Sequence, residues 1–171
     1  MDIDYKNRKY DIVPYDSAWK NKFTEEERIL RSIFGDSAIA IEHVGSTAVP
    51  GLSGKPTIDV LILVEDIEIV ETLNQKMDEA GYKSVGEYVR PGTRLFVREE
   101  SNTRLCNVHV FPKDHPHVKE MLRLRDYFRS HAEEVEKYAK LKKELATKYP
   151  NDYAQYRKLK DEYMEDLKKR V

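Results

Sequence analysis

This sequence has little that would call for a covalent or membrane-bound explanation. Cys106 is the single cysteine among 171 residues, so no internal disulfide can form, and such usage suits a reducing compartment. No stretch approaches the eighteen apolar residues expected of a membrane helix, and the opening MDIDYKNRKYDIVPY has no apolar core of signal-peptide length. An excess of one charge is missing too. Thirty Lys and Arg stand against 31 Asp and Glu, for a formal net charge of −1. That is too little to attract nucleic acid or acidic lipid to a whole surface. Any anion site must be a local patch, and a nucleic-acid or membrane partner is not expected. The expectation is a cytoplasmic protein, on whose oligomeric state the composition is silent.

The length fits one domain able to bury a core, expected here over 1–171 with a mixed core to residue 112 and helices from 113. Lys9 to Pro14 reads as a short strand, with Asp16 and Ser17 as caps for the following helix. Trp19, Phe23, Leu30, Ile33 and Phe34 lie near helical spacing on that helix, and Gly35 ends it. Ala38–Val44 and Thr57–Val64 read as strands. The second is apolar on both faces, as a covered central strand should be. Asp66 caps a helix carrying Ile67, Val70, Leu73 and Met77, closed by Gly81. Tyr82–Val89 and Arg94–Arg98 flank Arg-Pro-Gly-Thr, with proline and glycine placed for a type II turn. In the strand Leu105–Phe111, alternation puts Cys106, Val108 and Val110 on one face and Asn107 and His109 on the other. From Asp114 onward three amphipathic helices follow, the last two separated by Pro150. The fold class expected is α+β: a mixed sheet with flanking helices and a C-terminal helical segment.

The strongest local signal is HVGSTAVPGLSGKPTIDVLI, residues 43 to 62. Between its two strands lie twelve residues with three glycines, two prolines and Lys55. A Walker A loop fails here, because Val49 stands where the first glycine belongs and Pro56 where the hydroxyl belongs. A dinucleotide fingerprint fails for want of two glycines one residue apart. A phosphate cradle of another kind remains. Gly45 can leave the strand in a backbone conformation closed to other residues. Ser46 and Thr47 then supply hydroxyls and amides, and Lys55 a compact charge. A loop this long inside a compact domain is uncommon unless it is functional, although a plain crossover is the alternative. Asp59 opens an otherwise apolar strand. A buried carboxylate there must pair with Lys55 or an arginine, bind a metal, or lie at an open strand end.

VPYDSAWKNKF, IEHVGSTAVPGLSGKPTIDVLI, NVHVF, LRLRDYFRSH and YRKLKDEYMEDL together resemble the GrpB family, over nearly the whole chain. By motif that family belongs to the polymerase-β-like nucleotidyltransferases. The resemblance implies a nucleotidyltransferase-like fold, with Gly45-Ser46 ending one strand and carboxylates opening the next. Asp59 matches the first carboxylate. The second should stand at 61, where this chain has Leu61. Two-metal phosphoryl transfer holds its ions about 4 Å apart between such carboxylates, and with Leu61 the usual pair cannot be built from this strand. The place of the third ligand falls to His109, which would then hold a different metal, or else act as an acid/base or phosphate donor, or stand in a site that has lost catalysis. Imidazole suits zinc, nickel or manganese better than magnesium. The implied cofactor is a divalent metal, magnesium or manganese or else zinc, held by Asp59 and His109 as the catalytic pair. Gly45, Ser46, Thr47 and Lys55 would hold phosphate. The segment match adds Arg125 to the phosphate-binding set.

Other groups carry less. His43 lies nearest the loop and could line a pocket. Arg94 and Arg98 share one side of their strand and could also meet a phosphate. His115 and His117 flank Pro116 without a third metal ligand. Three functions follow from these readings. The first is a nucleotidyltransferase-like protein that binds a nucleotide or phosphorylated ligand and transfers a nucleotidyl group. The second is a non-catalytic binding or accessory domain on the same fold. The third is a metal-dependent hydrolase using Asp59, His109 and His43.

Overall fold

The computed structural model describes residues 10–171. Helix α1 (Ala18–Phe34) and strand β1 (Ala40–Val44) come first, then β2 (Ile58–Val64). A 3-10 segment (Ile67–Leu73) runs into α2 (Asn74–Glu79). The strands β3 (Tyr82–Gly86), β4 (Arg94–Glu100) and β5 (Thr103–Pro112) follow. Three helices close the chain: α3 (Pro116–Ser130), α4 (Ala132–Lys148) and α5 (Tyr153–Lys168). The sheet order is β1-β2-β5-β4-β3, parallel only between β2 and β5. It is a mixed sheet with flanking helices, in the α+β class.

Each boundary has a local cause. Asp16 accepts the Ala18 amide at 2.8 Å and so begins α1, while Ser17 caps nothing with its side chain. Asp66 accepts the Glu68 amide as expected of a cap, but the segment it opens is 3-10 before it becomes α2. At Arg90-Pro91-Gly92-Thr93 the Thr93 amide bonds back to the Arg90 carbonyl at 3.3 Å, and Gly92 has φ +74, as a type II turn needs. Of the expected Lys9–Pro14 strand, Lys9 lies outside the described residues, and Val13 makes a single antiparallel bridge to Gly54.

The two faces of β2 explain its continuous apolar run. Ile58, Val60, Ile62 and Val64 pack with Trp19, Leu30 and Phe34 of α1 and with Met77 of α2. Leu61 faces the other way, in a cluster with Val44, Phe111 and Val118 beneath α3. Both faces are thus covered, and Val60, Leu61, Ile62 and Val64 are each 0% exposed. At about 25 cal/mol per Å² of apolar area removed from water, such a strand anchors the fold. The C-terminal helices pack over the loop between β1 and β2, where Val49 and Leu52 meet Phe128, Val135, Tyr138 and Leu167. Arg129 adds a 2.9 Å hydrogen bond to the Ala48 carbonyl.

Candidate functional site

The register sets the site. Val44 pairs with Asp59, and Asp59 in turn with Asn107, while Leu61 pairs with Glu42 and His109. Glu42, Asp59, Leu61, Asn107 and His109 therefore share the face that looks toward the C-terminal helices. At the strand end the chain turns sharply. Gly45 has φ +75, and a Cβ there would stand 2.6 Å from Oδ2 of Asp59. Only glycine lets the turn close against that carboxylate. Ser46 is drawn in by a second glycine, since a Cβ on Gly54 would lie 2.9 Å from Cβ of Ser46.

Asp59 is held on several sides. Asn107 donates to its Oδ1 at 2.8 Å, and His109 Nε2 lies 3.6 Å from the same oxygen. Burial opposes ionisation, but the hydrogen bonds from His109 and Asn107 and the charges of His109 and Lys55 outweigh it. The carboxyl is held below its usual range. Asn107 in turn accepts from Arg104 at 2.8 Å. The Nδ1 atom of His109 is buried without a hydrogen-bond partner among the described residues.

Around this carboxylate opens a cavity of about 340 Å³. Gly45, Ser46, Thr47, Lys55, Asp59 and Arg125 line it, so six of the seven residues singled out by sequence lie together there. His109 stands behind Asp59, in contact with it but off the cavity wall. Three of these residues have partners within the protein. The Thr47 hydroxyl is buried and bonded to His43 Nε2 at 2.9 Å, so it serves the loop rather than the cavity. Arg125 is committed to Glu42 at 2.7 Å, to Asp126 and to the His43 carbonyl. Lys55 donates to the Tyr153 hydroxyl at 2.7 Å.

Other expectations fail on geometry. His43 pairs with Val60 and so lies on the opposite face of the sheet from Asp59, stacked on Phe23 at 4.6 Å. Burial first, then the charges of Arg129 and Arg125, push it down to about 4 against the opposing pull of Asp59. A hydrolase uniting Asp59, His109 and His43 is excluded by that placement. Arg94 pairs with Glu71, Glu68 and Glu87, and Arg98 with Glu26, all away from the cavity. His115 accepts the His117 amide as a helix cap, while His117 meets Glu120 at 2.9 Å.

The sequence reading missed a buried cation of the cavity. Lys142 of α4 is 2% exposed, donates to Ser46 Oγ at 2.9 Å and to the Ser53 carbonyl, and lies 4.6 Å from the Tyr138 ring centre. Burial, then the nearby Lys160 and Lys55 cations, push it down to about 7. A signal was present. Val135, Tyr138, Lys142 and Leu145 follow one another at helical spacing, so the lysine sits in the apolar stripe of its helix. Tyr153, Tyr156 and Lys160 of α5 complete the wall.

A two-metal centre does not fit these residues. Leu61 is packed among Val44, Phe111 and Val118, and the side-chain oxygen of Asn107 is taken by Arg104. Among the described residues no three His, Cys, Asp or Glu side chains are grouped to hold a metal ion.

Comparison with known proteins settles the family. The GrpB profile, described as "GrpB protein", matches residues 9–170. The chain belongs to the GrpB family. It is 39% identical over 160 residues to the UPF0157 protein YqkA of Bacillus subtilis, covering 94% of this chain and 46% of that one. It therefore spans about half the length of that relative. The crystal structure of the conserved protein GrpB from Enterococcus faecalis superposes with a TM-score of 0.89 at 32% identity, covering 94% of this chain and 96% of the other. The Cid1 poly(U) polymerase, with magnesium and 3′-dATP bound, gives a TM-score of 0.57 at 15% identity, covering 80% of this chain and 43% of that one. That likeness establishes a nucleotidyltransferase-like fold for this GrpB chain, and the fold alone. No helix among the described residues is long and apolar enough to cross a membrane.

Proposed function

We propose that this GrpB protein binds a nucleotide or another phosphorylated small molecule in the cavity between the Gly45-Ser46 turn and helices α3 to α5. The observation that carries the reading is convergence. Ser46, Lys55, Lys142 and Lys160 come from two distant parts of the chain and meet at one cavity with tyrosine walls. A mixed cavity of this kind, mostly apolar with a few converging polar groups, is the usual form of a small-ligand site. Its cations give the local anion patch that the neutral composition requires. Poly(U) polymerase Cid1, on a similar fold, is known with magnesium and 3′-dATP bound.

Of the two ways such a fold can act, Leu61 favours binding over nucleotidyl transfer. A carboxylate is absent where the second metal ligand would stand, and the position is filled by apolar packing. The protein thus acts in the cytoplasm as a nucleotide- or phosphate-ligand binder whose Asp59, with His109 behind it, orients the ligand rather than carrying two ions. A thermal-denaturation screen tests this, with nucleotides and divalent metals supplied singly and together. A ligand at a hundred times its dissociation constant adds about 2.7 kcal/mol of stability. The expected result is stabilisation by at least one nucleotide or phosphorylated compound, lost in Lys142→Met. Stabilisation by metal alone, with none by any phosphorylated compound, would sink the proposal.

A further inference from the structure

The cavity has a charge arrangement that a metal-nucleotide complex would not need. Its acidic side is one carboxylate, Asp59, already engaged by Asn107 and His109. Its basic side is three lysines. Lys55 reaches the cavity from the β1–β2 loop, Lys142 from α4 and Lys160 from α5. Arg125 also faces the cavity but is held by Glu42 and Asp126, and Lys160 shares its charge with Asp161, so Lys55 and Lys142 carry most of the positive charge. We infer that the ligand of this cavity is a phosphate polyanion taken up free of divalent metal, neutralised by Lys55, Lys142 and Lys160, and that its binding places a proton on Lys142. The inference rests on the proposed phosphate-ligand site and adds to it the ionic form of the ligand.

The physical argument starts from burial. An ammonium group 2% exposed loses its hydration, and among the described residues two oxygen acceptors, Ser46 Oγ and the Ser53 carbonyl, replace it. The Tyr138 ring offers a further weak attraction at 4.6 Å. The charged groups facing it from packed elements are cations, Lys55 on the loop and Lys160 on α5, and both oppose its protonation. The Asp161 carboxylate on α5 is bonded to Lys160 at 2.9 Å. Tyr138 and Tyr156, the ionisable phenols of the same wall, are pushed up by burial and stay neutral. Without ligand the Lys142 amine is therefore held down to about 7. An incoming polyanion reverses the balance. Its negative oxygens favour the charged amine, so the amine gains a proton as the anion enters. A bound divalent ion would cancel the anion's charge and remove that gain.

Titration calorimetry on the wild-type protein decides, with no variant needed. The probes are ATP, GTP, CTP, UTP and inorganic tripolyphosphate, each in EDTA and in magnesium chloride. Buffers of different ionisation enthalpy report the protons taken up. Binding in EDTA should be at least as tight as in magnesium, with net uptake of protons at pH 8, where an amine held down to about 7 is mostly unprotonated. Affinity should fall about tenfold between pH 8 and pH 9, one decade per unit above the titration point. Binding that needs magnesium overturns the inference and leaves the phosphate-ligand function standing. Binding in EDTA without proton uptake overturns the role of Lys142. No binding of any probe under either condition overturns the inference and the proposed function together.

Discussion

Replacing Lys142 by methionine is the sharpest test of the site's energetics. Methionine keeps an unbranched stem against Tyr138 and removes only the amine. The folded protein holds that amine down from 10.5 to about 7. Below about 7 both folded and unfolded chains carry the proton, and the amine costs the fold a constant amount. At about 1.4 kcal/mol for each tenfold loss of proton affinity, that cost is on the order of 4–5 kcal/mol. Between about 7 and 10.5 the unfolded chain binds a proton that the folded chain does not, so wild-type stability rises with pH across that window. Methionine escapes the cost but leaves the Ser46 hydroxyl and Ser53 carbonyl without their donor, at about 1–3 kcal/mol each. The two effects nearly cancel near neutrality, so the sign of the change there is not diagnostic. The slope is. From pH 7.5 to 9.5 the wild type should gain about 2–3 kcal/mol relative to Lys142→Met, or about 1 M in urea midpoint. The raised tyrosines and Cys106 titrate in both proteins and drop out of the difference. Denaturation curves that stay a constant distance apart over this range would refute the reasoning.

Two further outcomes are expected. Gly45→Ala meets both a positive φ and an Asp59 oxygen 2.6 Å from the new carbon, whereas Gly92→Ala, at φ +74 with nothing within 4 Å, meets only the backbone strain. Urea melts should show the first costing clearly more than the roughly 1–2 kcal/mol of the second, and equal costs would mean that Asp59 moves freely. His43, held down to about 4, should stay neutral at neutral pH and lower the stability of the fold as pH falls from about 6.5 to about 4, where the unfolded chain takes the proton first. A folded-state imidazole resonance for His43 that titrates near 6.5 by NMR would contradict its placement between Phe23 and Thr47.

Much of the fold was legible because periodicity reports burial directly. The both-faced apolar run from Ile58 to Val64 identified a covered strand, and alternation in β5 put Asn107 and His109 on the face that proves to hold Asp59. The long loop with its glycines pointed to the cavity for steric reasons that survive in the Gly45–Asp59 and Gly54–Ser46 approaches. What escaped depends on contacts distant in sequence. Nothing local says that Arg125 spends its charge on Glu42, or that Thr47 turns its hydroxyl to a histidine on the far face. Lys142 was half-legible. Its place in the apolar stripe of α4 marks it as buried, but its partner Ser46 lies 96 residues away.

Leu61 and Lys142 belong to one electrostatic account. Two divalent ions held by three carboxylates leave a site with one net positive charge, enough to receive a polyphosphate. With Leu61 packed among apolar side chains, Asp59 has no second carboxylate beside it on β2, and a lone carboxylate in a neutral cavity would repel the ligand. Lys55 and Lys160, the latter paired with Asp161, set against Asp59 leave the cavity close to neutral without any ion. A third permanent cation buried beside them would burden the empty protein with unscreened repulsion in a low-dielectric setting. An amine able to shed its proton when the cavity is empty avoids that burden and supplies its charge when an anion arrives. Burial in the stripe of α4, with Ser46 and the Ser53 carbonyl as its acceptors, is the placement that permits both states.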